Sequence, residues 1–217
     1  MIRLISIHIP KTAGRSFHAV LKKVYGEKRV FNVTRDSGKE WNAKLEKAIP
    51  PGTAVLHGHF TFSNISKLHE ESRVPIVAWL RDPVERVISH YYFFLERTRS
   101  GFRPQHEHRR DDSLTDYVRR PINQNRMSRV IEGIPLKDLF FAGVVEYFAE
   151  DLRHLGELLG WRPVEPLHIN NNEGYKAKFA PVGEDVKKII RALNQKDEEL
   201  YEEALQLRAR RMAGVLK

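Results

Sequence analysis

The sequence predicts an α/β fold in which a central parallel β-sheet is flanked by helices. Short, almost continuously apolar segments alternate along the chain with segments whose apolar residues recur at helical spacing. Strands buried on both faces have continuous apolar runs, and strands that alternate with helices are joined by crossovers into parallel sheets. Such sheets bind ligands at the carboxyl ends of their strands, so we expect the functional residues in the loops that follow the strands.

The chain opens with a strand, a loop and a helix. Ile2 to Ile9 is short, β-branched and apolar, as expected for a central strand. The helix is predicted from apolar residues at positions i, i+3, i+4 and i+7, which are Phe17, Val20, Leu21 and Val24. Gly26 is a natural stop for this helix.

Three further apolar segments predict strands, at Ala54 to Leu56, Pro75 to Leu80 and Leu139 to Val145. The second runs into Asp82-Pro83, a typical helix start, and helical periodicity follows it. A helix after the third strand has a buried stripe formed by Phe148, Leu152, Leu155 and Leu159. Two C-terminal helices are predicted, one around Val186 to Leu193 and a charged, mostly solvent-facing one from about Lys196.

Composition restricts the function classes. The 217 residues suit one domain spanning 1–217, and a net charge of +9 favours anionic partners without selecting one. Cysteine is absent, which excludes thiolate catalysis and Cys-based zinc sites and fits a cytoplasmic protein. No segment approaches the roughly 20 apolar residues of a membrane span, so we expect a soluble protein without a membrane anchor.

A polar, arginine-rich insertion is predicted at about 98–131, where the alternation of strands and helices breaks down. A short helical piece is expected near Leu114 to Val118. We expect the insertion to lie over the site, near the acceptor, where its arginines would grip an acidic acceptor or simply form a charged surface. Asn123 and Gln124 are candidates for orienting acceptor hydroxyls, whereas His106 and His108 read as part of a solvated loop.

The loop after the first strand is a candidate phosphate site. Its small and polar residues directly precede a helix N-terminus, where unpaired N–H groups and the helix dipole favour anions. These residues are Pro10, Lys11, Thr12, Ala13, Gly14, Arg15, Ser16 and Phe17. Lys11 precedes Gly14, unlike the order of a Walker A motif, which disfavours ordinary kinase or ATPase chemistry. An ordinary strand-to-helix turn with an exposed lysine is the alternative.

Arg81 and Ser89 form a second candidate anion site. Arg81 ends a predicted strand, and Ser89 lies eight positions on, about two turns into the next helix. A guanidinium and a hydroxyl that converge on one anion would suit a nucleotide with phosphates at both ends of its ribose. In the alternative, Arg81 pairs with Asp82 or Glu85 and Ser89 has no ligand.

The segments HIPKTAGRSF and WLRDPVERVISHYYF resemble the 5′-phosphosulfate and 3′-phosphate motifs of sulfotransferases that use 3′-phosphoadenosine-5′-phosphosulfate (PAPS). HGHF, at His57 to Phe60, and RVISHYYFFLERTRSGFRP resemble the uronyl 2-O-sulfotransferase branch of sulfotransferase family 2. The resemblance implies a P-loop-NTPase-like three-layer fold and transfer of a sulfuryl group to a hydroxyl of a glycan or glycoside. It also implies adenosine 3′,5′-bisphosphate (PAP) as product, no required metal and no nucleic-acid partner.

The resemblance carries roles onto particular residues. Residues 10–17 would bind the 5′-phosphosulfate, with Lys11 stabilising the leaving phosphate, and Arg81 with Ser89 would bind the 3′-phosphate. His59 would be the base and His57 would support it or bind substrate. A His-x-His metal pair and a structural histidine remain alternatives. A basic loop at 170–179, with Lys176 or Lys178 near phosphate, is a further expectation.

Two rival functions stay open. A nucleotide-dependent, kinase-like phosphotransferase of the same architecture would need Mg²⁺ and prefer ATP. A non-catalytic polyanion- or nucleic-acid-binding protein would exploit the net charge of +9 and bind in a strongly salt-dependent way.

Overall fold

The computed structural model describes residues 1–33, 49–99, 112–164 and 181–215. Its strands are β1 (Leu4–Ile7), β2 (Val30–Val33), β3 (Val55–Gly58), β4 (Ile76–Leu80) and β5 (Phe141–Val144). They pair in parallel in the order β2-β3-β1-β4-β5, which places β1 at the centre. The predicted α/β fold with a central parallel sheet flanked by helices is confirmed.

Helices connect the strands and follow the last one. Their bounds are α1 (Gly14–Tyr25), α2 (Phe62–Ser72), α3 (Pro83–Arg99), α4 (Leu114–Arg119), α5 (Arg126–Val130), α6 (Phe148–Leu158), α7 (Glu184–Leu193) and α8 (Gln195–Met212). Several begin at side-chain caps: the Asp82 carboxylate accepts from the Glu85 N–H at 2.8 Å before α3, and the Ser113 hydroxyl accepts from the Asp116 N–H at 3.1 Å before α4. These bonds satisfy N–H groups that have no partner within the helix.

The sheet is covered on both faces. On one face, α1 and α6 bury Phe17, Leu21 and Leu152 against strand residues that include Trp79. On the other, α2, α5 and α8 pack against a second set of strand residues. Burying one large aliphatic or aromatic side chain contributes about 1.5–3 kcal/mol, so these two layers hold the strand ends in place. A third cluster joins α3 to α4 and α7.

The structure adds three elements that the sequence pattern did not predict, which are strand β2 and helices α2 and α5. Strand β2 is an edge strand with the exposed residue Asn32 at its middle, and α2 buries only Ile65, so neither has the apolar periodicity used for prediction. Their positions depend on pairing with β3 and on packing against the sheet. The helical piece expected near Leu114 to Val118 is confirmed as α4.

Helix α8 is less solvent-facing than its charge predicts. One face is exposed, but Ala204 is fully buried and Leu200 packs against the core. Arg208 lies on the packed side, where its Nε donates to the buried Asp151 carboxylate at 2.8 Å. Because charged residues also lie on the inner face of α8, the sequence pattern did not indicate which side of this helix packs against the core. Within the described residues, no helix is both long and apolar enough to cross a membrane.

Candidate active site

The loops after β1, β3 and β4 meet at the carboxyl edge of the sheet. In the pairing register, Ile7 of β1 lies beside Gly58 of β3 and beside Ala78 of β4. The residues that follow these strands therefore leave the sheet side by side. This arrangement brings together the phosphate-loop candidates, His59 and Arg81.

The loop after β1 has an unusual backbone. Lys11 and Ala13 have φ values of 72° and 59°, in the left-handed region that residues other than glycine rarely adopt. The Thr12 hydroxyl donates to the Ile9 carbonyl at 2.9 Å, so its proton closes the loop and is not directed to a ligand. Such backbone conformations cost of order 1 kcal/mol or more each and cluster where a ligand is held.

The N-terminus of α1 is open to an anion. No side chain caps this helix, and its first turn holds no acidic residue. The N–H groups of the first turn and the positive end of the helix dipole thus face the loop. Ser16 is buried in this turn, Arg15 is exposed, and Phe17 belongs to the core beneath the loop.

Lys11 is a partly desolvated cation. Its Nζ lies 4.5 Å from the centroid of the Phe93 ring on α3. The pKa of Lys11 is lowered from 10.5 to about 8, chiefly by burial and also by the positive charges of Arg81 and Arg15, while Glu96 opposes the shift. A bound anion would relieve this destabilisation of the ammonium group.

Arg81 is buried at the end of β4 and contacts the same loop. Its Nη1 donates to the Lys11 carbonyl at 3.3 Å, and its Nη2 lies 3.6 Å from a carboxylate oxygen of Glu85. Burial lowers the pKa of Arg81, with Glu146, Glu85 and Asp82 opposing. The alternative pairing with Glu85 is therefore present, while Asp82 contacts Arg191 at 3.4 Å instead.

Ser89 is half-buried on α3, one helical turn beyond Glu85. Residues four positions apart on a helix share a face, so Glu85 and Ser89 lie on the same side of α3, and the Glu85 carboxylate also lies 3.6 Å from Arg81. An anion held by both Arg81 and Ser89 would have to displace or turn the Glu85 carboxylate.

The two histidines at the end of β3 have different environments. His57 is buried, its Nδ1 lies 2.9 Å from the Ser6 hydroxyl, and its pKa is held well below the ordinary value, chiefly by burial. His59 is half-buried, and its Nδ1 donates to the His8 carbonyl at 3.0 Å. This bond selects the neutral tautomer of His59 in which Nε2 carries the lone pair.

Two more histidines, not singled out in the sequence, join this cluster. The rings stack in the order His59, His8, His57 and His18, with centroid separations of 4.2, 5.1 and 4.9 Å. His8 follows β1 directly, and only the pairing of β1 with β3 shows that it lies between His57 and His59. Among the described residues, no group of three or more histidine or acidic side chains is placed to hold a metal ion.

Gly14 is explained by His8. A Cβ at position 14 would lie 1.9 Å from atoms of the His8 ring, so no larger residue fits while that ring stays in place. Since Gly14 is the first residue of α1, the histidine cluster and the phosphate-loop candidate are in direct contact.

Two other candidates bond to the backbone at the end of α4, and several more lie outside the described residues. The Asn123 side-chain amide donates to the Tyr117 carbonyl at 2.8 Å and that of Gln124 to the Val118 carbonyl at 3.0 Å, so both cap the end of α4. In the arginine-rich insertion, Arg120 pairs with Asp112. The 170–179 loop with Lys176 and Lys178, like His106 and His108, lies outside the described residues.

Comparison with known proteins decides the family. A model of the sulfotransferase family matches residues 2–213, nearly the whole chain. The chain belongs to the sulfotransferase family. The fold of this sulfotransferase is similar to the crystal structure of a sulfotransferase from Alicyclobacillus acidocaldarius, with a TM-score of 0.51 at 14% identity, covering 94% of this chain and 96% of the other.

Two other similarities were found for this sulfotransferase. A protein-tyrosine sulfotransferase of Arabidopsis thaliana is 33% identical over 94 residues, which cover 43% of this chain and only 17% of that protein. A crystal structure of mouse sulfotransferase SULT7A1 complexed with PAP has a TM-score of 0.43 at 12% identity, covering 91% of this chain and 66% of the mouse chain.

Proposed function

We propose that this sulfotransferase moves the sulfuryl group of PAPS to an acceptor hydroxyl by in-line displacement and releases PAP. The observation that carries the proposal is the hydrogen bond from Arg81 to the Lys11 carbonyl. It places two cationic residues, Lys11 and Arg81, at one loop, which precedes an uncapped helix N-terminus. A donor with a phosphate at each end of its ribose offers an anion to each cation.

On this proposal, Lys11 and the N–H groups of residues 14–16 bind the 5′-phosphosulfate. As the acceptor oxygen attacks sulfur, the bond from sulfur to the bridging oxygen breaks and its electron pair stays on that oxygen. Lys11 stabilises this charge, an interaction that is strongest in the transition state and thus raises kcat. Arg81 and Ser89 hold the 3′-phosphate, with the Glu85 carboxylate turned aside.

His59 is the proposed general base. Its Nδ1–H is held by the His8 carbonyl, so Nε2 is the nitrogen that takes the acceptor proton. The buried His57 has almost no surface for substrate, and the proposal therefore gives it the supporting role only.

For the acceptor we propose a carbohydrate hydroxyl, because the HGHF segment resembles the uronyl 2-O-sulfotransferase branch. A tyrosine hydroxyl is the second candidate, favoured by the 33% identity to the Arabidopsis protein-tyrosine sulfotransferase. The two differ in acidity. Since a phenol ionises near pH 10 and a sugar alcohol far above it, a sugar acceptor depends more on the base.

The first test measures thermal stabilisation by PAP, ADP and ATP, since a ligand that binds the folded state raises the unfolding midpoint. We expect PAP to stabilise most, without Mg²⁺. Stabilisation by ADP or Mg²⁺-ATP but not by PAP would favour the phosphotransferase. Equal, strongly salt-dependent stabilisation by unrelated polyanions would favour the polyanion binder.

The second test measures transfer of labelled sulfate from PAPS to a panel of glycans, glycosides and tyrosine peptides. Lys11→Ala should lower kcat/KM by about 100-fold or more, the typical loss when one group that stabilises transition-state charge is removed. Lys67→Ala is the matched control, because Lys67 is exposed and pairs only loosely with Glu71 at 3.8 Å. Parental activity in Lys11→Ala would contradict the proposal.

A further inference from the structure

His8 is attached to the base candidate through both its backbone and its ring. Its N–H donates to the Gly58 carbonyl at 2.8 Å, and its own carbonyl accepts from His59 Nδ1 at 3.0 Å. Its ring stacks on the His59 ring with centroids 4.2 Å apart and planes inclined by 25°. The position of His59 is therefore defined by the residue that ends β1.

The other side of the His8 ring is held by its neighbours in the site. The ring lies where a Cβ at Gly14 would be, 1.9 Å from it, and it stacks on the His57 ring at 5.1 Å. His57 is itself buried and lies within hydrogen-bond distance of the Ser6 hydroxyl. His8 thus fills the space between the first residue of α1 and the His59 imidazole.

His8 makes these contacts as a neutral ring. Burial lowers its pKa well below the ordinary value, and the neighbouring His59, His18 and Lys11 lower it further. A neutral ring adds no charge beside the base. The contacts of the His8 ring can therefore act on the orientation of the rings that stack on it, those of His57 and His59.

We propose that His8 is a positioning residue for His59: its carbonyl sets the tautomer, and its ring, between Gly14 and His59, sets the direction of Nε2 relative to the phosphate loop. The inference rests on the proposed role of His59 as base. Catalysis by a base depends on placement to within fractions of an ångström, and a misplacement near 1 Å can cost about 100-fold in rate.

A double-mutant cycle with His8→Ala, His59→Ala and the double variant tests this role. We expect His8→Ala to lower kcat by about 10- to 100-fold, with the KM for PAPS and the stabilisation by PAP nearly unchanged. In the His59→Ala background, the same change should lower kcat by less than about twofold, because groups that act as one unit are not additive. His8→Phe, which keeps a neutral ring, should retain most of the activity.

His69→Ala is the matched control. His69 lies on α2, and its Nδ1 also donates to a backbone carbonyl, that of Val74, at 3.0 Å. This variant should leave kcat unchanged. An equal loss from His8→Ala in both backgrounds, or a loss that follows weakened PAP binding, would overturn the inference and assign His8 to the nucleotide loop.

Side-chain ¹⁵N NMR separates this inference from the proposed function, since it needs no turnover. The Nδ1–H tautomer of His59 should persist in all variants, because the carbonyl that accepts from it belongs to the backbone. In the parent and in His8→Phe, the His59 ring nitrogens should give one set of sharp signals, and in His8→Ala broadened or doubled signals, because no neighbouring ring then holds the imidazole in one orientation. An unchanged His59 spectrum in His8→Ala would overturn the role of His8 alone. Parental kcat in His59→Ala would overturn the proposed base, and the role of His8 with it.

Discussion

Arg81 Nη1 donates a hydrogen bond of 3.3 Å to the carbonyl oxygen of Lys11, which joins residues 70 positions apart in the chain. Both residues follow neighbouring strands, β4 and β1, at the carboxyl edge of the sheet. The bond holds the backbone of the Lys11 loop against a buried guanidinium. The two candidate phosphate sites are therefore parts of one connected structure, and changes at one should be felt at the other.

Lys11→Met should raise the stability of the ligand-free protein while it lowers kcat/KM for transfer by about 100-fold or more. The pKa of Lys11 falls from its ordinary value of 10.5 to about 8 in the folded state. Below pH 8, the charged ammonium group therefore lowers the free energy of unfolding. This destabilisation is relieved as pH rises from about 8 to 10.5, because the folded chain then binds fewer protons than the unfolded chain. Denaturant unfolding at pH 7 and pH 9.5 should show a difference between variant and parent that shrinks at the higher pH. A pH-independent difference would contradict the lowered pKa.

Binding of PAP should take up a proton at Lys11. An anion beside the ammonium raises its pKa, so below pH 8 Lys11 is charged with or without ligand, whereas above pH 8 it must be protonated on binding. We expect the affinity for PAP to be level below about pH 7 and to fall by up to roughly tenfold per pH unit well above pH 8. Calorimetry in two buffers of different ionisation enthalpy measures the uptake. The pH dependence should disappear in Lys11→Ala.

Glu85→Gln should tighten the binding of PAP. The Glu85 carboxylate lies 3.6 Å from Arg81 Nη2. There it would compete with a phosphate group for the guanidinium, and its negative charge would repel the phosphate. Removing its charge should lower the Kd for PAP by about two- to tenfold, the effect of a partly exposed charge pair near 1 kcal/mol. Glu71→Gln, in the exposed pair with Lys67, is the control and should leave the Kd unchanged. Weaker PAP binding in Glu85→Gln would show that Glu85 supports Arg81 instead of competing for it.

Ala13→Gly should keep or increase stability, whereas Ala19→Gly should decrease it. Ala13 has φ at 59°, where glycine avoids the penalty of a Cβ, and this gain offsets the entropy that glycine loses on folding. Ala19 lies inside α1, where glycine costs about 1 kcal/mol relative to alanine. Thermal unfolding of both variants measures the contrast. Equal destabilisation would indicate that Ala13 does not hold the left-handed conformation in solution.

Much of the fold could be predicted because its signals are local. The apolar run of β1, the helical spacing of Phe17 and Val20 and the stop at Gly26 each depend on a few adjacent residues. Strand β2 and helix α2 could not be predicted, since one is a half-exposed edge strand and the other buries a single residue. Their stability comes from neighbours far along the chain.

The sequence alone determined that a loop with Lys11 would precede a helix N-terminus, that Arg81 would end a strand and that His57 and His59 would follow another. Only the tertiary structure decided how these pieces meet. The register of β1 with β3 places His8 between the two histidines and against Gly14, and the neighbouring ends of β1 and β4 place Arg81 on the Lys11 carbonyl. The physical reason is that a motif depends on adjacent residues of one segment. Strand pairing and close packing depend on contacts between distant segments, which the local residue pattern does not indicate.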